Sequence, residues 1–241
     1  VILRDEIPTP VDLRLRRESM NTAIAETRAK IAEVGALMFD RHLTDIAGGN
    51  IGARVDDVIC LTPRYSGCKF HWRLRPEQVL VLDLEGNKLE GDGEISREAK
   101  VHLKLLNEFQ DGRAVVHAHA RNVMVFCAAG QPIPPVLECT LRFGEVKVVP
   151  YAPTHSAELA ENIAGGLRGQ EARIRQDAAA VIAPWHGLFV LGKDLDAALE
   201  ATESIDVNAR CILLGRLLTL AGADGLEGRR AALAEAVAAY E

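Results

Sequence analysis

Two histidines, His117 and His119, stand two residues apart in the apolar run AVVHAHA. In a β-strand, residues i and i+2 point to one face, roughly 6.6 Å apart along the backbone. Two imidazoles so placed can converge on one metal ion at about 2.0–2.1 Å, or they can pair by hydrogen bonds within a sheet. A third candidate ligand is His186 in PWHGLFVLG, directly after the apolar run AAAVIAP. The glycine that follows it lets the backbone come close to a site, although a structural histidine fits the same place. Three histidines with an open coordination position describe a catalytic metal site rather than a closed structural one, and no fourth thiolate or histidine is evident.

Glu98 in ISREAKVH opens a predicted helix with Ser96 as its N-cap, where the helix dipole favours a carboxylate. His102 lies four residues on and shares its face, so it reads as a core residue or as a support for the site. AGGNIGAR and TPRYSGCK are turn-rich. Their glycines and small polar side chains let backbone N–H groups reach an anion, or simply form turns.

The elements that must position these residues follow from periodicity. Apolar positions Ile24, Thr27, Ile31, Val34 and Leu37 mark an amphipathic helix over 21–41. Strands are expected at 50–54, 58–62, 78–84, 114–120, 146–152 and 178–184, with a turn plus strand at 185–192. Helices are expected from Ser96 to about Phe109, over 122–130 closed by Gly130, after a Ser156 cap, and after an Asp194 cap through Ala201, Ile205, Ala209 and Leu213. Residues 1–18 read as a charged arm lying on the surface or against a neighbouring subunit, residues 19–241 as a single α/β domain, and the tail from Leu226 as alanine-rich and amphipathic. Strands and helices do not alternate regularly, which argues against a doubly wound nucleotide fold.

Composition excludes several functions. A net charge of −6 without basic clusters argues against nucleic acid. Apolar runs fall short of the roughly 20 residues of a membrane span, and no secretory leader is visible. The cysteines, Cys60, Cys68, Cys127, Cys139 and Cys211, form no C-x-x-C and suit a reducing, cytoplasmic setting.

Taken in order, GGNIGAR, TP…SG, VLVLDLEGN, S-x-E-x-x-x-H, VVHAHA, VVPYA and HGLFVLG resemble the class II aldolase/adducin family, of the fuculose-phosphate aldolase and ribulose-phosphate epimerase type, from about Ala23 to Leu214. The resemblance implies a three-layer α/β/α domain with a central, mainly antiparallel sheet, and a homotetramer with sites between subunits. It makes His117, His119 and His186 ligands of one divalent ion per subunit, usually Zn2+, with Mn2+ or Co2+ as alternatives. Glu98 matches the family's acid/base glutamate, and Gly49, Asn50, Thr62, Ser66, Gly67 and Ser96 match its sugar-phosphate pocket. The implied chemistry is retro-aldol cleavage of a small hydroxy-carbonyl compound, in which the metal stabilises an enediolate and Glu98 moves the proton.

The chain departs from that pattern in three places. The phosphate loop reads TPRYSG, with Arg64 and Tyr65 inserted, and Arg97 stands between Ser96 and Glu98. Either arginine can face solvent or hold a carboxylate or phosphate through two parallel hydrogen bonds. The stretch PVLECTLRFGE has no tyrosine where fuculose-phosphate aldolases supply a second proton donor. Glu138 is the nearest titratable group, and Tyr151 and His155 are two further residues to place. The leading expectation is therefore an aldolase-type lyase. Its alternatives are a hydroxy- or keto-acid decarboxylase, a pentulose-phosphate epimerase and a non-catalytic adducin-like module, the last of which would have eroded ligands.

Overall fold

The computed structural model describes residues 10–220 and Glu235, with side chains from Glu18 to Leu218 in the continuous part. In chain order the elements are α1 (Pro10–Asp40), β1 (Asn50–Val55), β2 (Val58–Leu61), α2 (Ser66–Phe70), β3 (Leu80–Asp83), β4 (Lys88–Glu90), α3 (Ala99–Glu108), β5 (Ala114–Ala118), α4 (Val123–Ala129), β6 (Lys147–Val148), α5 (Ala157–Leu167), α6 (Glu171–Gln176), β7 (Ala178–Ala183), β8 (Gly187–Gly192) and α7 (Leu195–Leu220). The strands form one sheet in the order β4-β3-β2-β1-β5-β8-β7-β6. Every pairing is antiparallel except β6 with β7.

Both faces of the sheet are covered, which is why its central strands are apolar along their whole length. On one face Ala114, Val116 and Ala118 of β5 pack with Ile31 and Met38 of α1, Phe126 of α4 and Ala201 of α7. On the other, Val115 packs with Phe189 and Leu191 of β8, Leu105 of α3 and Ile163 of α5. The result is the expected three-layer α/β/α arrangement with a mainly antiparallel sheet.

Local signals account for most boundaries. The Ser156 side chain accepts a hydrogen bond from Leu159 N at 3.0 Å to cap α5, and Asp194 accepts one from Ala197 N at 2.8 Å ahead of α7. Gly130 closes α4 at φ 59°, where a glycine meets no steric cost. The buried stripe of α1 runs Ile24, Ile31, Val34, Met38, while Leu37 turns to solvent. That helix begins at Pro10 and so passes through the expected arm boundary at 18; residues 1–9 and the tail from Leu226, apart from the helical Glu235, lie outside the described residues.

Three readings need correction. Ser96 does not cap α3. Its hydroxyl accepts from Glu98 N at 3.2 Å and its carbonyl from Ala99 N at 3.0 Å, so the chain turns before the helix and Glu98 occupies the N-cap position without capping. The strand expected at 146–152 has only two ladder residues, because Pro150 can donate nothing to a ladder. Short α2 and α6, and edge strand β4, were not foreseen, being too short to show a period. No described helix is long and apolar enough to cross a membrane.

Candidate active site

Antiparallel pairing gathers distant residues at one end of the sheet. Asn50 opens β1 opposite His117 in β5, and Ala118 lies opposite Leu188 in β8. His117, His119 and His186 therefore meet, with one nitrogen of each lying within 4.8 Å of the others. His117 stacks on Phe189 with ring centroids 4.2 Å apart. Two glycines make room. A Cβ at Gly48 would lie 1.8 Å from His119 Cε1, and one at Gly187 would lie 2.8 Å from His117 Cε1.

Supporting groups fix the rings. His117 Nδ1 lies 3.0 Å from the Leu188 carbonyl, which only accepts, so Nδ1–H donates and Nε2 keeps its lone pair for the site. His119 Nδ1 faces Asp45 Oδ2 at 3.3 Å, while its Nε2 is buried without a partner. Asp45 is fastened in turn, its Oδ1 accepting from Ala47 N and Gly48 N at 2.8 Å each. Burial pushes the Asp45 carboxyl up, but these N–H groups and His119 together hold it below the usual carboxylate range. Burial, reinforced by the neighbouring rings, pushes His117 well below its ordinary value and His186 down to about 4. Three imidazoles whose nitrogens converge, with His119 Nε2 and His186 Nδ1 buried and unpartnered, are the donor set a borderline divalent cation takes, so the residues fit such an ion.

Glu98 sits beside them. Its Oε1 is 3.7 Å from His186 Nε2 and 2.7 Å from His155 Nδ1. The second is a close contact that is not aligned as a hydrogen bond, and both carboxylate oxygens are buried without a hydrogen-bond partner. Burial raises the Glu98 carboxyl above its usual range, and His155 opposes this only in part.

These groups line a cleft of about 320 Å³ that also includes Gly49, Asn50, Arg64, Ser66, Gly67, Ser96 and Arg97. Thr62 is the exception among the expected binding residues. It is fully buried and its hydroxyl accepts from Ile51 N at 3.0 Å, so it shapes β1 without facing the cleft. Ser66 Oγ donates to the Pro63 carbonyl at 2.6 Å. Arg64 reaches the cleft but pairs with Glu94 at 2.9 Å and stacks its guanidinium on Tyr65. Arg97 is exposed on the cleft wall with no ion-pair partner among the described residues. His102 Nε2–H donates to Asn50 Oδ1, which leaves the Asn50 amide nitrogen for the cleft; burial lowers the His102 ring to about 3, so it is neutral.

Sequence reasoning passed over Asp45 and left His155 unplaced. Asp45 carries only the Asp-x-x-Gly mark of a turn. His155 shows no sequence signal, because its place depends on a left-handed backbone (φ 66°). Tyr151 does not line the cleft; it packs edge-on against exposed Trp185, ring centroids 5.3 Å apart. Glu138 opens a short 3-10 turn whose Arg142 pairs with Asp177, just before β7 at the other end of the sheet, where a depression of about 440 Å³ is lined by paired charges.

Comparison with known proteins is consistent with this geometry. The family profile described as Class II Aldolase and Adducin N-terminal domain matches residues 29–213. An L-fuculose phosphate aldolase of Methanococcus maripaludis is 29% identical over 171 residues, 70% of this chain and 86% of the relative. A 3-oxo-tetronate 4-phosphate decarboxylase of Haemophilus influenzae is 30% identical over 190 residues, 75% of this chain and 83% of the relative. The solved structure of an L-fuculose 1-phosphate aldolase superposes with a TM-score of 0.71 at 25% identity, covering 80% of this chain and 87% of that one.

Proposed function

Because the chain belongs to the class II aldolase and adducin family, we propose that it is a divalent-metal-dependent lyase that breaks a C–C bond in a small hydroxy-carbonyl substrate. It is an enzyme of the aldolase or decarboxylase kind. The observation that carries the proposal is the meeting of three imidazoles with a buried carboxylate in one cleft.

His117, His119 and His186 would hold the ion, most simply Zn2+, which as a Lewis acid would stabilise the negative charge that develops on substrate oxygens as the bond breaks. Glu98 moves the proton to or from the carbon left by cleavage. Its raised pKa suits that work, because a general acid or base is most effective when its pKa lies near the working pH. The Asn50 amide, aimed by His102, orients substrate oxygens. Arg97, exposed on the cleft wall, offers its guanidinium to an anionic group of the substrate.

A decarboxylase is the second reading. Loss of CO2 leaves the same kind of carbanion as retro-aldol cleavage, and Arg97 on the cleft wall suits a carboxylate. The family resemblance also supports a cytoplasmic homotetramer with sites between subunits, which light scattering of the purified protein checks.

The test joins metal analysis to a panel of ketose phosphates and hydroxy acids scored for aldehyde and CO2 release. Glu98→Gln keeps the metal and loses about 10²–10⁴-fold in kcat. Near-normal turnover in that variant refutes the assignment.

A further inference from the structure

We propose that His155 is the proton relay between the buried Glu98 and solvent, a role that rests on Glu98 being the acid/base group. Glu98 is only 4% exposed and neither of its oxygens has a hydrogen-bond partner. Protonating a carbanion empties it. In a decarboxylation the replacement proton must come from solvent, since one proton is taken up for each CO2 released. A carboxyl so enclosed needs a carrier.

His155 is the group in position. Its Nδ1 is buried against Glu98 Oε1 at 2.7 Å, already the separation of a charge-assisted hydrogen bond, while 33% of its side chain remains in solvent at the cleft wall. Alignment of such contacts commonly tightens only once substrate is bound.

The backbone gives an independent indication. His155 holds φ 66°, a left-handed conformation that glycine adopts freely and that residues with a Cβ adopt rarely. It is fixed there by its neighbour, because Ser156 caps α5 and its N–H reaches the Pro153 carbonyl at 3.2 Å. Nothing in the turn needs an imidazole, and strain kept at a cleft wall points to use of the side chain. In the reloading step the protonated ring passes its Nδ1 proton to Glu98 Oε1. One N–H bond breaks, one O–H bond forms, and the neutral ring regains a proton from water or a buffer acid.

The left-handed backbone also makes the test clean. His155→Gly relieves strain, keeps the turn and leaves a hole the size of the lost ring. His155→Asn tolerates the same φ without carrying a proton. Both variants, with wild type, are assayed against the panel of ketose phosphates and hydroxy acids at rising imidazole concentration. Metal content and thermal melts are measured alongside. The expected result is a kcat at least tenfold lower in both variants, with KM and metal content unchanged. In His155→Gly, imidazole restores turnover in a saturable way, and wild type does not respond to it. Wild-type kcat in either variant overturns the relay and leaves Glu98 standing, and so does a loss that imidazole fails to restore. Wild-type protein that turns over nothing in the panel removes the Glu98 reading and the relay with it.

Discussion

Replacing Gly48 by alanine puts a methyl group where the His119 ring already lies. The new Cβ would stand 1.8 Å from Cε1, 2.3 Å from Nδ1 and 2.5 Å from Nε2. Non-bonded carbons settle at about 3.5–4.0 Å, so the ring must retreat by roughly 2 Å. Metal–ligand distances tolerate about 0.2 Å. A shift ten times larger removes His119 from the ligand set and pulls it off Asp45, its orienting partner at 3.3 Å. Loss of an orienting partner alone typically costs about 10–100-fold in metal affinity. Loss of the ligand itself is therefore expected to exceed 100-fold, or about 2.7 kcal/mol. The fold should lose less, because Gly48 lies in the loop before β1; local overpacking costs about 1–3 kcal/mol. The assay is chelator-stripped protein titrated with Co2+, read by visible absorption, and with Zn2+ by calorimetry. Gly165→Ala serves as control. It sits on the exposed face of α5 with only Arg168 Nη1 at 3.9 Å from the added Cβ, and should raise stability by about 0.5–1 kcal/mol without touching the site. Wild-type stoichiometry and affinity in Gly48→Ala would refute the three-histidine site.

Two further predictions concern buried polar groups. Asp206 on α7 accepts from Asn122 N at 2.8 Å, Asn122 Nδ2 at 2.7 Å and Val123 N at 3.1 Å, and so supplies α4 with its N-terminal cap from another helix. Asp206→Ala should cost about 3 kcal/mol, which for a chain of this size lowers Tm by roughly 6–12 °C in calorimetry; a shift under about 2 °C would contradict it. The second is His102, whose folded pKa of about 3 lies below the unfolded value of about 6.5. The native state binds fewer protons between these values, so the contribution is complete above pH 6.5 and is lost as pH falls toward 3. From pH 7 to pH 5 the loss from this ring is about 2 kcal/mol. Urea unfolding of His102→Gln, which can still donate to Asn50, should show a pH dependence smaller by that amount; an unchanged slope sinks the account.

The parts of the site that sequence exposes are those written in a short period. The i, i+2 spacing of His117 and His119 places both rings on one face as soon as β5 is a strand, and the Gly187 after His186 marks the close approach that the structure uses. Caps at Ser156 and Asp194 are readable because an N-cap is a one-residue signal. What stays hidden depends on the third dimension. Ser96 looks like a cap, yet its hydroxyl turns the chain one step early and frees Glu98 to face the histidines. Thr62 belongs to the motif but its hydroxyl is taken up by β1. The direction of Arg64 is decided by Glu94, thirty residues away, and that of His155 by a single positive φ.

His119 directly follows the fifth strand and His186 precedes the eighth, 67 positions later in the chain. Between them the chain must build α4, β6, α5, α6 and β7 before Ala118 can find Leu188. A nascent or truncated chain ending before residue 186 therefore holds two of the three donors and no seam between the halves of the sheet. A cation bound by all three histidines would act as a seal of completed assembly. It would bind the native state and not the partial one, and would stabilise it by RT ln(1 + [L]/Kd).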